Sequence, residues 1–350
     1  MFPARSRCAL LRENRGSGTG RGVGMAWVRV VVVNYNSGDL LARAVACLAA
    51  QSDPDFEAVI VDNASGDGSA DRLVLPDDRF TLVRSEANLG FAAGSNLGCR
   101  GARTDWLATL NPDAFPEPGW LAALRAAVAR YPGAAMFGSL QIDARDPDRL
   151  DGCGDNYSFF GINWRGGHGQ RFAGPPADGE CFSPCGAAAL YRREAFEAVG
   201  GFDESYFCYC EDVDLGFRLR LRGGRCVQVG DAVVRHVGSA VTGLQSPFTV
   251  YHSARNRLWT YVKNMPAALL WLSLPMHLAA TAGLLWNARG GPRLRPMLSG
   301  LGHGLRGLGP VLAERRRVQR SRGVSAGTIA RALSWSVTKL RRREADLRRP

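Results

Sequence analysis

Three acidic residues, Glu211, Asp212 and Asp214, follow an aromatic loop, Tyr206-Phe207-Cys208-Tyr209, and open an apolar run. Leu215, Leu219 and Arg222 recur there at helical spacing until Gly223-Gly224 ends the run, so the acids fall in the first turn of a helix. The positive end of the helix dipole is expected to keep them ionised. An ionised carboxylate at the mouth of an aromatic-rimmed pocket is what a reaction needs to take a proton from a hydroxyl. Plain helix capping is the alternative reading of the same three residues.

Other chemically capable residues stand at the ends of apolar runs. Val28 to Val33 is a continuous β-branched stretch closed by Asn34-Tyr35-Asn36, and Phe56 to Val61 is a second one closed by Asp62-Asn63-Ala64-Ser65. Such runs read as buried parallel strands, and a helix from about 39 to 51 separates them, so the chain opens as a doubly wound α/β fold. Ligands in such sheets bind beyond the carboxyl ends of the strands, which places both polar turns in one crevice. Asp62 can accept a hydrogen bond from a pyrimidine imide, or it can simply close an Asx-turn. A third strand, 80–84, leads to Asn88-Leu-Gly90-Phe-Ala-Ala-Gly-Ser-Asn96, whose glycines would let a diphosphate approach the backbone. A short strand, 106–110, runs into Asn111-Pro112-Asp113, where a carboxylate can hold a divalent cation.

Downstream, the spacing predicts a helix from about 119 to 130, a strand near 135–140 and a Gly-, Asn- and aromatic-rich loop from 151 to 179 that closes over ligands. Short strands at 226–229 and 232–234 end at Arg235-His236, and this imidazole is either structural or a metal ligand. A helix from 251 to 263 carries Arg255, Asn256 and Arg257 beside aromatic residues.

The 350 residues, 46% hydrophobic and 22% charged, suffice for a full core plus appendages. The net charge of +12 is concentrated: residues 287–350 hold 16 Lys and Arg against 3 Asp and Glu, so the rest is nearly neutral. Just before them, 267–286 carries no formal charge but is interrupted by Pro275 and His277. We expect a helical hairpin or an interfacial helix pair lying on a membrane rather than a true span, with Arg315–Arg317 and Arg341–Arg343 meeting anionic headgroups. Nucleic acid is not the expected partner, because the basic segment has no interleaved aromatic residues or known module. Nine scattered cysteines point to reduced thiols, and Cys181/Cys185 and Cys208/Cys210 lack zinc-finger spacing. Residues 1–24, rich in Arg and Gly, have no continuous apolar segment of the secretory type and read as disordered or as a mis-assigned start before Met25.

Taken in order, Val-Val-Val-Asn34-Tyr35-Asn36, Val-Asp62-Asn63, Asn88-Leu-Gly-Phe-Ala-Ala-Gly-Ser-Asn96, Leu-Asn111-Pro-Asp113, Gly200-Gly-Phe-Asp203-Glu and Glu211-Asp212-Val-Asp214 resemble the family 2 inverting glycosyltransferases, most closely the rhamnosyltransferase-like members. The resemblance covers about 28–264. It implies a GT-A fold, an α/β nucleotide-binding half joined to an acceptor-binding half, over 25–264, with 265–350 as an apolar helical segment and basic tail. It further implies a dTDP- or UDP-sugar donor lying against Asn34, Tyr35, Asn36, Asp62, Asn63, Asn88, Gly90 and Asn111. Mg²⁺ or Mn²⁺ would sit on Asp113 and His236, and the catalytic acids would be Asp212, as base, and Glu211. The acceptor would be a glycan or polyprenyl-linked glycan at the cytoplasmic face of the cell membrane. Asn111 departs from the family's Asp-x-Asp motif, which weakens the expected hold on the metal. A sugar-nucleotide-binding scaffold and a sugar-nucleotide hydrolase are the competing readings.

Overall fold

A computed structural model describes residues 13–15, 26–238, 243 and 245–350. The reading of 1–24 therefore falls almost wholly outside the described residues, within which Glu13–Arg15 forms an edge strand. The principal strands are β1 (Val28–Asn34), β2 (Phe56–Asp62), β3 (Phe80–Arg84), β4 (Trp106–Leu110), β5 (Ala134–Asp143), β6 (Ala188–Arg192) and β7 (Arg225–His236). Helix α1 (Leu40–Ala49) joins β1 to β2, a helix-free turn segment joins β2 to β3, α2 (Gly90–Cys99) joins β3 to β4, α3 (Trp120–Arg130) lies between β4 and β5, and α4 (Glu211–Leu221) precedes β7.

These strands share one mixed sheet in the order β3-β2-β1-β4-β6-β5-β7, with Glu13–Arg15 beyond β3 and Gly179–Cys181 beyond β7. The first four strands are mutually parallel, and β6 is antiparallel to both its neighbours, β4 and β5. The β-branched run of β1 is buried on both faces, and that of β2 is buried except at half-buried Val59, as a sheet covered by helices requires. One apolar cluster packs Leu41, Val45, Trp120 and Leu124 on one face, and another packs Ala92, Phe196, Leu215 and Leu219 on the other. Register pairs Asn34 with Asp62, so the ends of β1 and β2 lie side by side.

Glycines fix how closely α2 approaches the sheet. A Cβ on Gly94 or Gly98 would lie 2.8 Å from Val33 Cγ1 or 2.4 Å from Val31 Cγ1. At Gly90, which has φ +77°, a Cβ would lie 2.4 Å from the Phe207 carbonyl oxygen. Gly94 and Gly98 thus make room for the valines of β1, and Gly90 makes room for the Phe207 backbone while its own backbone stays at the cavity wall.

Two further readings change. The stretch from 151 to 179 is not one loop, because strands Leu150–Cys153, Asp155–Tyr157 and Asn163–Arg165 lie within it or at its edge. The apolar stretch is not a hairpin. After α5 (Pro247–Asn264) it forms one helix, α6 (Ala267–Asn287), with Pro275 inside it on the exposed side. A proline in mid-helix removes a single backbone hydrogen bond and kinks the helix without having to end it.

Helices α7 (Leu294–Arg306) and α8 (Leu308–Arg320) follow. The sequence drew a boundary after residue 264, yet later residues pack back across it. Arg315 Nη1 donates to the Val262 and Met265 carbonyls at 2.6 Å, and Val318, Ile329 and Leu333 join Phe217, Leu221 and Tyr261 in a third apolar cluster. Residues 342–348 clamp the 155–165 hairpin: Trp164 Nε1 donates to the Glu344 carbonyl at 3.0 Å, Gly167 N to the Arg343 carbonyl at 2.6 Å, and Asp346 N to Asn156 Oδ1 at 3.2 Å.

Candidate active site

The carboxyl ends of β1, β2 and β4 open into a cavity of about 940 Å³, closed on its far side by the loop before α4 and by the 150–168 segment. Nine of the twelve residues expected at the site line it: Tyr35, Asn63, Asn88, Gly90, Asn111, Asp113, Glu211, Asp212 and His236. The other three do not reach its surface. Asn34 is fully buried, and its amide donates to Asp62 Oδ1 (3.0 Å), Ser65 Oγ (3.0 Å) and Ser69 Oγ (2.9 Å), so it braces the turn. Asp62 is buried with Arg84 Nη1 at 3.7 Å, and Asn36 is exposed outside the cavity. Asn63 and Asn88, at the cavity wall, also brace each other. Asn63 Nδ2 donates to Asn88 Oδ1 and its Oδ1 accepts from Leu89 N, tying β2 to the start of α2.

Strained backbone delivers the three acids. Phe207, Tyr209 and Cys210 have φ of +65°, +71° and +65°, a region that non-glycine residues enter at a cost of about 1–3 kcal/mol each. Asn256 on α5 holds the loop in that shape by reaching the carbonyls of Tyr206, Cys208 and Tyr209 at 2.7–3.0 Å. The acids then diverge. Asp212 faces the cavity, with Gly186 N donating to its Oδ2 and Val213 N to its Oδ1, both at 2.8 Å. Glu211 is buried, and burial together with Asp212 pushes its pKa well above the ordinary value, which corrects the expectation that the helix start keeps all three acids ionised. Asp214 faces away, fully buried, and takes Tyr206 Oη, Arg218 Nε, Asn264 Nδ2 and Lys263 Nζ at 2.6–3.1 Å. It belongs to the fold and not to the cavity.

Across the cavity, His236 links two carboxylates: Nε2 lies 3.2 Å from Asp113 Oδ1 and Nδ1 lies 2.8 Å from Asp151 Oδ2. Burial alone would lower the imidazole pKa, but the two carboxylates raise it to about 9. Burial would likewise raise Asp151, yet Arg165 Nη1 at 2.6 Å, with His168 and His236, holds its carboxyl well below the usual range. The donor set fits a divalent cation. A carboxylate oxygen and an imidazole nitrogen about 3 Å apart can serve one ion side by side, and a ligating histidine ordinarily gives its other ring N–H to a carboxylate, the place Asp151 occupies here.

Asp151, Asp155 and Arg165 were not singled out from sequence, although all three line the cavity. The available signal was the Asp-Gly-Cys-Gly-Asp spacing of 151–155, two carboxylates inside a glycine-rich turn.

Strand-end asparagines, a histidine–carboxylate pair and a carboxylate at a helix start thus meet in one cavity. Residues 29–200 match the model for glycosyl transferase family 2. The chain is 31% identical over 296 residues to the N-acetylglucosaminyl-diphospho-decaprenol L-rhamnosyltransferase of Mycobacterium tuberculosis, covering 77% of this chain and 91% of that protein. The chain belongs to glycosyl transferase family 2. Among solved structures, a Pyrobaculum calidifontis mannosyltransferase in complex with GDP-Man and Mn²⁺ superposes with a TM-score of 0.50 at 19% identity, over 87% of this chain and 86% of that one. GalNAc-T7 with UDP, GalNAc and Mn²⁺ gives 0.58 at 13% identity, over 81% and 57%. Both likenesses concern the fold.

Proposed function

We propose that the protein transfers a sugar, L-rhamnose from dTDP-rhamnose before any UDP-sugar, to a hydroxyl of a lipid-linked glycan, with inversion at the anomeric carbon, in cell-surface polysaccharide synthesis. One observation carries the reading: Asp212 shares a single cavity with the Asp113–His236–Asp151 chain. Asp212 takes the proton of the acceptor hydroxyl as that oxygen bonds to the anomeric carbon. The bond to the diphosphate breaks on the opposite face, and the electron pair leaves with the nucleoside diphosphate. The Gly186 and Val213 N–H groups hold both oxygens of the base in place. Burial pushes Glu211 toward its neutral form, which lessens the negative charge beside the base. A divalent cation, when bound by Asp113 and His236, would offset charge on the leaving diphosphate. Rhamnose and the lipid-linked acceptor are supported by the name of the mycobacterial relative. Donor and product analysis tests the reading: dTDP release that depends on a sugar-diphosphate lipid supports it, and equal release without acceptor would make the protein a hydrolase.

Asp151 gives the metal reading a sharper test. Asp151→Asn is expected to raise the Mn²⁺ concentration for half-maximal activity about 10–100-fold, the usual effect of losing a carboxylate behind a ligating histidine, and to weaken Mn²⁺ binding in calorimetry equally. Full activity of the parent protein in excess EDTA would refute the metal site.

Helix α6 supports membrane attachment because large apolar side chains stay on its outer side although Leu269, Leu270 and Leu274 pack inward. Ser273 and His277 point inward, to Tyr261 Oη and the Phe160 carbonyl, while Trp271 (69% exposed), Leu272 (72%), Leu278 and Trp286 point outward. An outward apolar face 21 residues long, beside a strongly basic segment, matches a cytoplasmic-leaflet surface. The protein is expected to sediment with membranes at low salt, and Trp271→Glu with Leu272→Glu to move most of it to the supernatant without loss of donor binding. A parent protein that stays soluble at low salt would end this reading.

A further inference from the structure

The 155–165 hairpin places a second carboxyl beside the base. Asp155 pairs with Arg165 across the hairpin and bridges to Ser183, which fixes its backbone at the cavity wall. Its side chain is 7% exposed, and its Oδ1 is buried without any hydrogen-bond partner. A carboxylate oxygen of Asp155, one of Asp212 and the Cys185 sulfur all lie within 4.8 Å of one another, and all three residues line the cavity. A buried carboxyl oxygen with nothing to bond is costly, and an oriented partner supplied by the substrate removes that cost.

We propose that Asp155 and Asp212 form an acceptor subsite for a vicinal diol of a sugar, Asp212 receiving the hydroxyl that reacts and Asp155 the hydroxyl next to it. This rests on the reading of Asp212 as the base of glycosyl transfer. Two carboxyl oxygens this close can each reach one of two neighbouring ring hydroxyls at about 2.7 Å, because those hydroxyls are themselves at about hydrogen-bond distance from each other. The protonation states differ as the task requires. Burial, reinforced by Asp212, pushes the Asp155 pKa up to about 8, so near pH 7 its neutral carboxyl both donates to and accepts from a hydroxyl and does not repel the base. Cys185, whose thiol burial pushes up to about 12, stays neutral and forms the wall between them. A cation held by the same three groups would occupy the proton-accepting oxygens of the base, so the two uses exclude each other.

The test uses the full chain with a synthetic N-acetylglucosaminyl diphosphate on a short prenyl chain, and its analogues lacking one ring hydroxyl at a time. Asp155→Ala is expected to raise the acceptor KM about tenfold with the donor KM unchanged, and Asp155→Asn, which keeps a neutral donor and acceptor, to recover most of the loss. One deoxy analogue, the one missing the hydroxyl beside the reacting one, should show the same tenfold loss with the parent enzyme and no further loss with Asp155→Ala. Parent enzyme that transfers nothing to this probe would defeat the functional reading on which the proposal rests. Transfer by the parent with an unchanged acceptor KM in Asp155→Ala, or a changed Mn²⁺ requirement in its place, would overturn the subsite alone.

Discussion

Asp212→Asn should lower the rate of sugar transfer about 10²–10⁴-fold while leaving donor affinity within a few-fold, the range a positioned general base supplies. The substitution is conservative in every respect but one. Asparagine can still accept from Gly186 N, which now donates to the carboxylate at 2.8 Å, so the approach of α4 to the 185–187 turn survives. What is lost is an oxygen able to take a proton. Rates with saturating acceptor and dissociation constants for the nucleotide-sugar separate the two effects. A donor affinity that falls as far as the rate would place Asp212 on the nucleotide and remove it as base.

Two residues along the helix the opposite result is expected. Asp214→Ala should destabilise the fold by about 3–5 kcal/mol, the usual effect of removing one partner from a buried charge cluster. Lys263 is 1% exposed and lies 2.7 Å from Asp214 and 2.6 Å from Asp203, and Arg218 Nε lies 2.8 Å from Asp214. Without Asp214, two buried cations share the Asp203 carboxylate and the Val199 carbonyl. Urea unfolding of Asp212→Asn and Asp214→Ala together makes the contrast: the first midpoint stays and the second drops. A loss under about 1 kcal/mol for Asp214→Ala would refute the account of this cluster.

The neighbours 212 and 214 mark where the sequence stops being informative. Helical spacing correctly puts both in the first turn, but which one meets solvent depends on α5, whose Lys263 and Asn264 arrive from fifty residues away. Strand 106–110 was legible because a strand covered on both faces has no polar alternation to obscure it, and 80–84, buried at alternate positions, also matches residue for residue. Gly90, Gly94 and Gly98 were visible as a pattern, yet their meaning was not, since a missing side chain leaves equal room for a phosphate or for Phe207 and Val31. Asp151 and Asp155 were the least accessible. Their strands are four and three residues long, too short for periodicity, and their chemistry comes from His236 and Asp212, which only the folded chain brings near.

The clamp on the 155–165 hairpin also sets a schedule. Trp164 Nε1 waits 180 residues for the Glu344 carbonyl, and the backbone of Gly167 waits as long for Arg343. At 5–20 residues per second a ribosome needs roughly 10–40 s to deliver that partner. Strands β1 to β4 can pair much earlier, so during synthesis the strand-end side of the cavity takes shape first. The opposite wall, with Asp155 in it, is fastened only after α6 has been made. The nascent chain would therefore carry a finished α6 before the wall that holds Asp155 is fastened.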